Sequence, residues 1–227
     1  PLRPQWRTDL AYFFVSHVLV QFMLIAITAW TSQVAALAAF PALKSAIGEL
    51  PVWLQFLLAV LCADLAQASL HRAYHRLPWL WRFHAVHHSS QWMDWLAGSR
   101  MHLLEILLTR AMVLLPLVVL GFSPGAINAY VILVGLQAVL AHANLGLNFG
   151  WLEYVLVGPR YHHWHHARDR DGRDVNYAIH LPVVDMLMGS FKLPRDGSWP
   201  ASYGLADASE VPDGIVRQHL APFLPAR

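Results

Sequence analysis

The sequence predicts an all-α integral membrane protein with about four transmembrane helices and a polar helical cap. Three observations predict it. Hydrophobic residues make up 56% of the 227 positions and charged residues only 13%, where a soluble domain is about a quarter charged. Four apolar stretches approach or exceed the roughly 20 residues a helix needs to cross a hydrocarbon core. Apart from Arg110, Lys and Arg avoid those stretches and gather in the segments outside them.

The first stretch runs from about Leu10 to Trp30 and the second from about Pro51 to Leu70. The third, about Leu103 to Phe122, carries Glu105 and Arg110 in its first half and is expected to begin at the interface before it crosses. The fourth runs from about Ala126 to Phe149, after the breaker-rich turn Gly121-Phe122-Ser123-Pro124-Gly125. Apart from Lys44 and Arg110, every Lys and Arg lies in the N-terminal stub, in segment 71–102 or after residue 150. An even number of spans puts those three segments on one side, and basic residues mark the cytoplasmic side. The whole chain, 1–227, thus reads as one membrane-embedded domain. Segments 71–102 and 150–205 form a cytosolic cap, and 206–227 form a tail. A longer native N-terminus is expected, since the chain starts at Pro1 rather than Met. The small net charge of +2 gives no nucleic-acid footprint. The single cysteine, Cys62, excludes an intramolecular disulfide and a thiolate metal site.

The chemistry is carried by histidine: 14 residues, equal in number to the acids. His71 and His75 stand four apart. His84, His87 and His88 form a second box, and His162, His165 and His166 a third, with His163 as an extra. On a helix, residues three and four apart share a face, so each box aims its imidazoles at one point. Pro78 is expected to end the helix of the first box and turn the chain into the second. Imidazole suits Fe, Zn, Cu and Ni. One ion takes about four to six ligands, so eight histidines with His142 as the ninth fit two ions. His142 lies near the cytoplasmic end of the fourth span, where a polar group is costly without a function. Asp64 precedes His71 by seven and His75 by eleven residues. At about 100° per residue the three fall within roughly 40° of one another, so Asp64 is a candidate partner for a ligand imidazole or an ordered water. His17, His180 and His219 read as structural, and His102 and His163 are left open.

At this point the residues resemble a known family. The order HxxxH, HxxHH, HxxHH is similar to the fatty acid hydroxylase/sterol desaturase superfamily. So are the run Leu77-Pro78-Trp79-Leu80-Trp81-Arg82-Phe83-His84, Arg100-Met101-His102 with Glu105, and His142-Ala143-Asn144. Pro159-Arg160-Tyr161-His162 with Asn176-Tyr177 and Asp185, and Tyr203-Gly204, extend the likeness over about residues 55–205. Many relatives have Arg where His163 stands. The resemblance implies a non-haem di-iron oxidoreductase with two Fe ions, for which Zn can substitute in a purified sample. It also implies an active site facing the cytoplasm and consumption of O₂ and two electrons. Its substrate would be a fatty acyl, sterol, ether-lipid or carotenoid molecule, oxidised at a C–H bond by hydroxylation, desaturation or monooxygenation. No cytochrome b5, flavin or ferredoxin signature is present, so an external donor such as cytochrome b5 or ferredoxin is expected. Two rival classes fit the histidines less well: a metal-dependent hydrolase of membrane lipids, and a metal transporter. Zinc usually takes three protein ligands plus water, which nine histidines exceed. A transporter would spread its ligands along a path through the bilayer, whereas here the boxes lie on one side.

Overall fold

The structure, a computed structural model, describes residues 3–37, 40–168, 174–207 and 211–224. It is all-helical among those residues, with one isolated antiparallel bridge between Ala167 and Tyr203. Four long helices lie side by side: α1 (Trp6–Leu37), α3 (Val52–Arg76), α5 (Leu103–Val119) and α6 (Pro124–His142). Shorter helices flank or cap them: α2 (Pro41–Gly48), α4 (Pro78–His88), α7 (Pro159–His165), α8 (Pro182–Met188) and α9 (Ile215–Leu220). Among the described residues, α3 and α6 are the two helices long and apolar enough to cross a membrane. At 1.5 Å per residue, α1 is about 48 Å long and α5, with its 17 residues, about 25 Å.

The helix ends follow local chemistry. α3 continues through both histidines of the first box and stops at Arg76, because Leu77 is held extended ahead of Pro78. Pro78 then opens α4, where its missing N–H costs nothing. His102 caps α5 by accepting from the Leu104 amide, and the Ser123 hydroxyl caps α6 by accepting from the Ala126 amide. Several ends differ from the sequence expectation, α1 among them, which runs from Trp6 to Leu37 rather than from about Leu10 to Trp30. α5 stops at Val119, ahead of Gly121, which adopts φ +84° and where a Cβ would stand 2.4 Å from the Lys44 side chain. α6 stops at His142 rather than running to Phe149, so His142 is its last residue. Helix α2 was not anticipated; it starts on Pro41 and leaves none of its residues buried.

α3 is the central post, packing on both α5 and α6, while α1 packs on α5. Ala59 and Ala63, fully buried and four apart, let the neighbouring helices approach closely. Val113, Leu117, Tyr130 and Val134 fill the space around them. The outer face of α3 is apolar too: Trp53, Leu57, Leu61 and Leu65, each four residues on from the last, are all exposed. Such a stripe suits lipid rather than water.

One ion-pair network ties the start of α1 to the cap. The fully buried Arg100 donates to Asp9 at 2.5 Å and to Gln5 and Ser89, and Arg3 joins Asp9 at 2.6 Å. Removing one member of a buried pair strands the other charge. Asp9→Ala is expected to destabilise the protein by about 3–5 kcal/mol, read as a lowered melting temperature in detergent. A change within 0.5 kcal/mol, the size typical of surface substitutions, would show that the network does not hold α1.

Candidate metal centre

The cap brings all nine predicted histidines together. They form two adjoining groups: His71, His75, His84, His88 and His165 in one, and His87, His142, His162 and His166 in the other. Within each group the candidate ligand atoms lie within 4.8 Å of one another. The first group draws on α3, α4 and α7, and the second on α4, α6, α7 and the residue that ends α7. The boxes on α4 and α7 are shared between groups because consecutive members of an HxxHH helix point to different sides of one face.

Five of the nine rings make short hydrogen bonds through Nδ1, and His75 Nδ1 stands 3.4 Å from Asp174 Oδ1. His71 Nδ1 donates to the Tyr177 carbonyl at 2.9 Å, and His84 Nδ1 to Glu105 Oε1 at 2.7 Å. His87 Nδ1 donates to the Arg100 carbonyl at 3.0 Å, His142 Nδ1 to the Ala138 carbonyl at 2.8 Å and His165 Nδ1 to the Val175 carbonyl at 2.7 Å. A neutral imidazole has one proton, so each Nε2 carries a bare lone pair. Those lone pairs converge. His71 Nε2 stands 3.0 Å from His84 Nε2, and His142 Nε2 stands 3.3 Å from His87 Nε2. No proton is left to join either pair, and two facing lone pairs at that separation repel unless a cation lies between them. Two imidazoles about 2.1 Å from one ion subtend this spacing at near-right angles. The donor set therefore fits a metal ion in each group.

Electrostatics agree. Burial holds His84, His87, His88, His162, His165 and His166 well below the ordinary imidazole value, and repulsion among the rings pushes them further down. All six are neutral at pH 7 and ready to ligate.

The supports of the rings come from far along the chain. Segment 175–181 presents the Val175 and Tyr177 carbonyls to His165 and His71, and is itself clamped by two carboxylates. Asp185 accepts from the Tyr177 and Ala178 amides and from Tyr161 and Ser190. Asp64 accepts from the amides of Ile179, His180 and Leu181. This corrects the sequence reading of Asp64: backbone amides occupy its carboxylate, and it meets no ligand imidazole. Among the described residues the carboxylates that do so are Glu105, at His84, and Asp174, whose Oδ1 stands 3.4 Å from His75 Nδ1. The same logic identifies Asp64 and Glu105, a buried carboxylate in an apolar helix, but spacing from a single box singled out Asp64 alone. Gly98 also matters here, because a Cβ at that position would stand 2.9 Å from His142 Nδ1. Of the residues left open, His102 is the α5 cap and His163 bonds to the Tyr203 hydroxyl at 2.9 Å; neither joins a group.

A cavity of about 330 Å³ runs from the clusters into the helix bundle. His71, His84, His87, His142 and His162 line its upper end, and its walls come from α1, α3, α5 and α6.

An all-helical protein with membrane-length helices and two adjoining groups of buried, neutral imidazoles belongs to a narrow class. Comparison with known proteins agrees. The family model described as "Fatty acid hydroxylase" matches residues 56–190, and the chain belongs to that family. It is 30% identical over 180 residues to the ornithine lipid hydroxylase OlsE of Rhizobium tropici, covering 76% of this chain and 51% of the relative. It is 32% identical over 143 residues to the alkylglycerol monooxygenase of Homo sapiens, covering 61% of this chain and 31% of that protein. It is 26% identical over 208 residues to the very-long-chain aldehyde decarbonylase GL1-1 of Oryza sativa, covering 84% and 32%. The chain thus spans about half the length of the first of these relatives and about a third of the others. No solved structure matches it.

The buried imidazoles set a pH dependence. Their values are lowered in the folded chain, while an unfolded imidazole titrates near about 6.5. Below that pH the unfolded chain takes up protons that the folded chain refuses, so stability is full above about pH 6.5 and falls as the pH drops. The metal-free protein is expected to melt at a steadily lower temperature from pH 7 to pH 5. A flat profile would mean that these rings are not buried neutral.

Proposed function

We propose that the chain is an O₂-dependent oxidoreductase of membrane lipids that holds two irons. His71, His75, His84, His88 and His165 would hold one, and His87, His142, His162 and His166 the other. The observation that carries this reading is the convergence of Nε2 lone pairs in two groups, formed by the boxes of a family whose relatives include a lipid hydroxylase and a monooxygenase. Bound iron supplies the O₂ and electron chemistry that breaks an unactivated C–H bond, which no acid–base side chain attacks.

The chain's own residues do the rest. The five Nδ1–H bonds fix ring orientation and leave Nε2 as the ligand atom. Glu105 makes His84 a more basic ligand by accepting its proton's hydrogen bond. Burial excludes bulk water from the clusters. The cavity offers a lipid an apolar path to the histidine end. In this reading α1, α3, α5 and α6 all cross the membrane, and the residues form one domain. The excess of basic residues in the cap supports a site on the cytoplasmic side. Electrons come from a separate protein, such as a cytochrome b5 or a ferredoxin.

The first test is the metal content and Mössbauer spectrum of protein from iron-supplemented cells. Close to two irons per chain with spin-coupled ferric signals is expected; a single metal, or zinc that persists under iron supplementation, overturns the di-iron reading. His87→Ala and His165→Ala should abolish turnover while the protein still inserts, and lipid oxidation surviving in either would remove that residue from the site. Glu105→Gln should weaken iron retention about 10–100-fold, measured by chelator competition.

A further inference from the structure

The lipid-facing cavity holds polar groups that the metal site does not use. Arg110 lines it, half-buried on α5, within a run that is otherwise apolar from Ile106 to Val119 except for Thr109. Among the described residues no acid pairs with it. An arginine inside a span is costly and needs an acceptor. Asp64 is committed to three amides, and Glu105 bonds His84 through Oε1 while its Oε2 is buried without a partner.

His180 lines the same cavity. Its Nδ1 contacts Gln137 Oε1 at 2.5 Å, while the Gln137 amide nitrogen donates to the Val157 carbonyl at 3.0 Å. That bond orients the glutamine, so His180 Nδ1 is the donor and its Nε2 is a bare acceptor. Nε2 is buried without a partner in a residue only 1% exposed. Burial lowers this ring to about 4, so it is neutral.

The two groups share Tyr130 as a neighbour: its ring lies 5.5 Å from that of His180, and it interacts electrostatically with Arg110. Arg110 follows Glu105 by five residues on α5, and Gln137 precedes His142 by five on α6, so both α-carbons stand about 7.5 Å along their helices from the cluster level. A side chain on a helix leans toward its N-terminus, which tilts the Arg110 guanidinium toward the histidines. The cavity is also open on one side: Gly135 and Val139 of α6 line it and are exposed, and a Cβ on Gly135 would meet nothing within 4 Å.

We propose that Arg110 and His180 form a polar subsite for the acyl linkage of the lipid, with Arg110 donating to its carbonyl oxygen and His180 Nε2 accepting from an N–H beside it. An amide offers both atoms; an ester offers only the acceptor. The subsite would favour amide-linked lipids and hold the linkage in the cavity below its histidine end. Entry would be lateral, past Gly135. This rests on the lipid-oxidising reading above, but its test does not involve turnover.

The test is binding of lauramide, methyl laurate and dodecane to the full chain in detergent, read by native mass spectrometry. Lauramide should bind tightest and dodecane weakest, with about tenfold or more between those two, as a hydrogen bond to a charged group implies. Arg110→Gln should lose the preference of both carbonyl probes over dodecane, and Arg110→Lys should keep most of it. His180→Phe should bring lauramide down to the level of methyl laurate. Gly135→Trp, which fills the opening from a position with free space, should weaken all three. Equal binding of lauramide and dodecane by the wild type overturns the subsite, as does wild-type discrimination in both Arg110→Gln and His180→Phe. Because the readout is binding, that outcome leaves the two-iron reading untouched, and the iron measurement does not move this one.

Discussion

Nine imidazoles packed with their Nε2 atoms converging make the constraint on which the rest of this structure depends. Left without a cation, the facing lone pairs repel, and protonation would replace that repulsion with a worse one between buried charges. The fold therefore has to force the rings together and keep them neutral. It does so from behind, through hydrogen bonds from Nδ1 to fixed acceptors. Four of the five are backbone carbonyls, whose positions are set by helices and by the clamped segment 175–181. The fifth is Glu105.

That demand explains why so many charged groups are buried in an otherwise apolar chain. Arg100 is held by Asp9, Gln5 and Ser89, and its carbonyl receives His87. Asp64 and Asp185 do not face the cluster, yet between them they hold five successive amides, 177 through 181, and so place the carbonyl that receives His71. Arg160 pairs with the buried Glu153 at 2.5 Å just ahead of the third box. In each case a charge is completely satisfied by partners drawn from different elements. The energy of that burial is repaid in position rather than in stability alone.

Below the cap, the bundle works by different rules. Small residues on α3 bring α5 and α6 close, exposed leucines and tryptophans face outward, and a cavity is left where α1 and α6 line opposite walls. The upper end of that space is histidine, its middle tier polar and its walls apolar. The family match, residues 56–190, spans most of α3 through α8 and takes in all nine histidines, while α1 lies outside it.

The helical class and the three boxes as candidate ligands were legible in the sequence, because helical periodicity is local: residues three and four apart share a face whatever surrounds them. His142 was legible as a candidate for another reason, as a polar group near the end of an apolar span. So was the break at Pro78, which follows from the chemistry of one residue. Only the tertiary structure decided how the nine histidines divide, since His165 and His166 are neighbours that serve different groups. It likewise decided that Glu105 rather than Asp64 meets an imidazole, that α6 ends at His142, and that Arg110 and His180, 70 positions apart, line one cavity. Those outcomes depend on which helix faces which across the bundle, and no periodicity within a single segment records that.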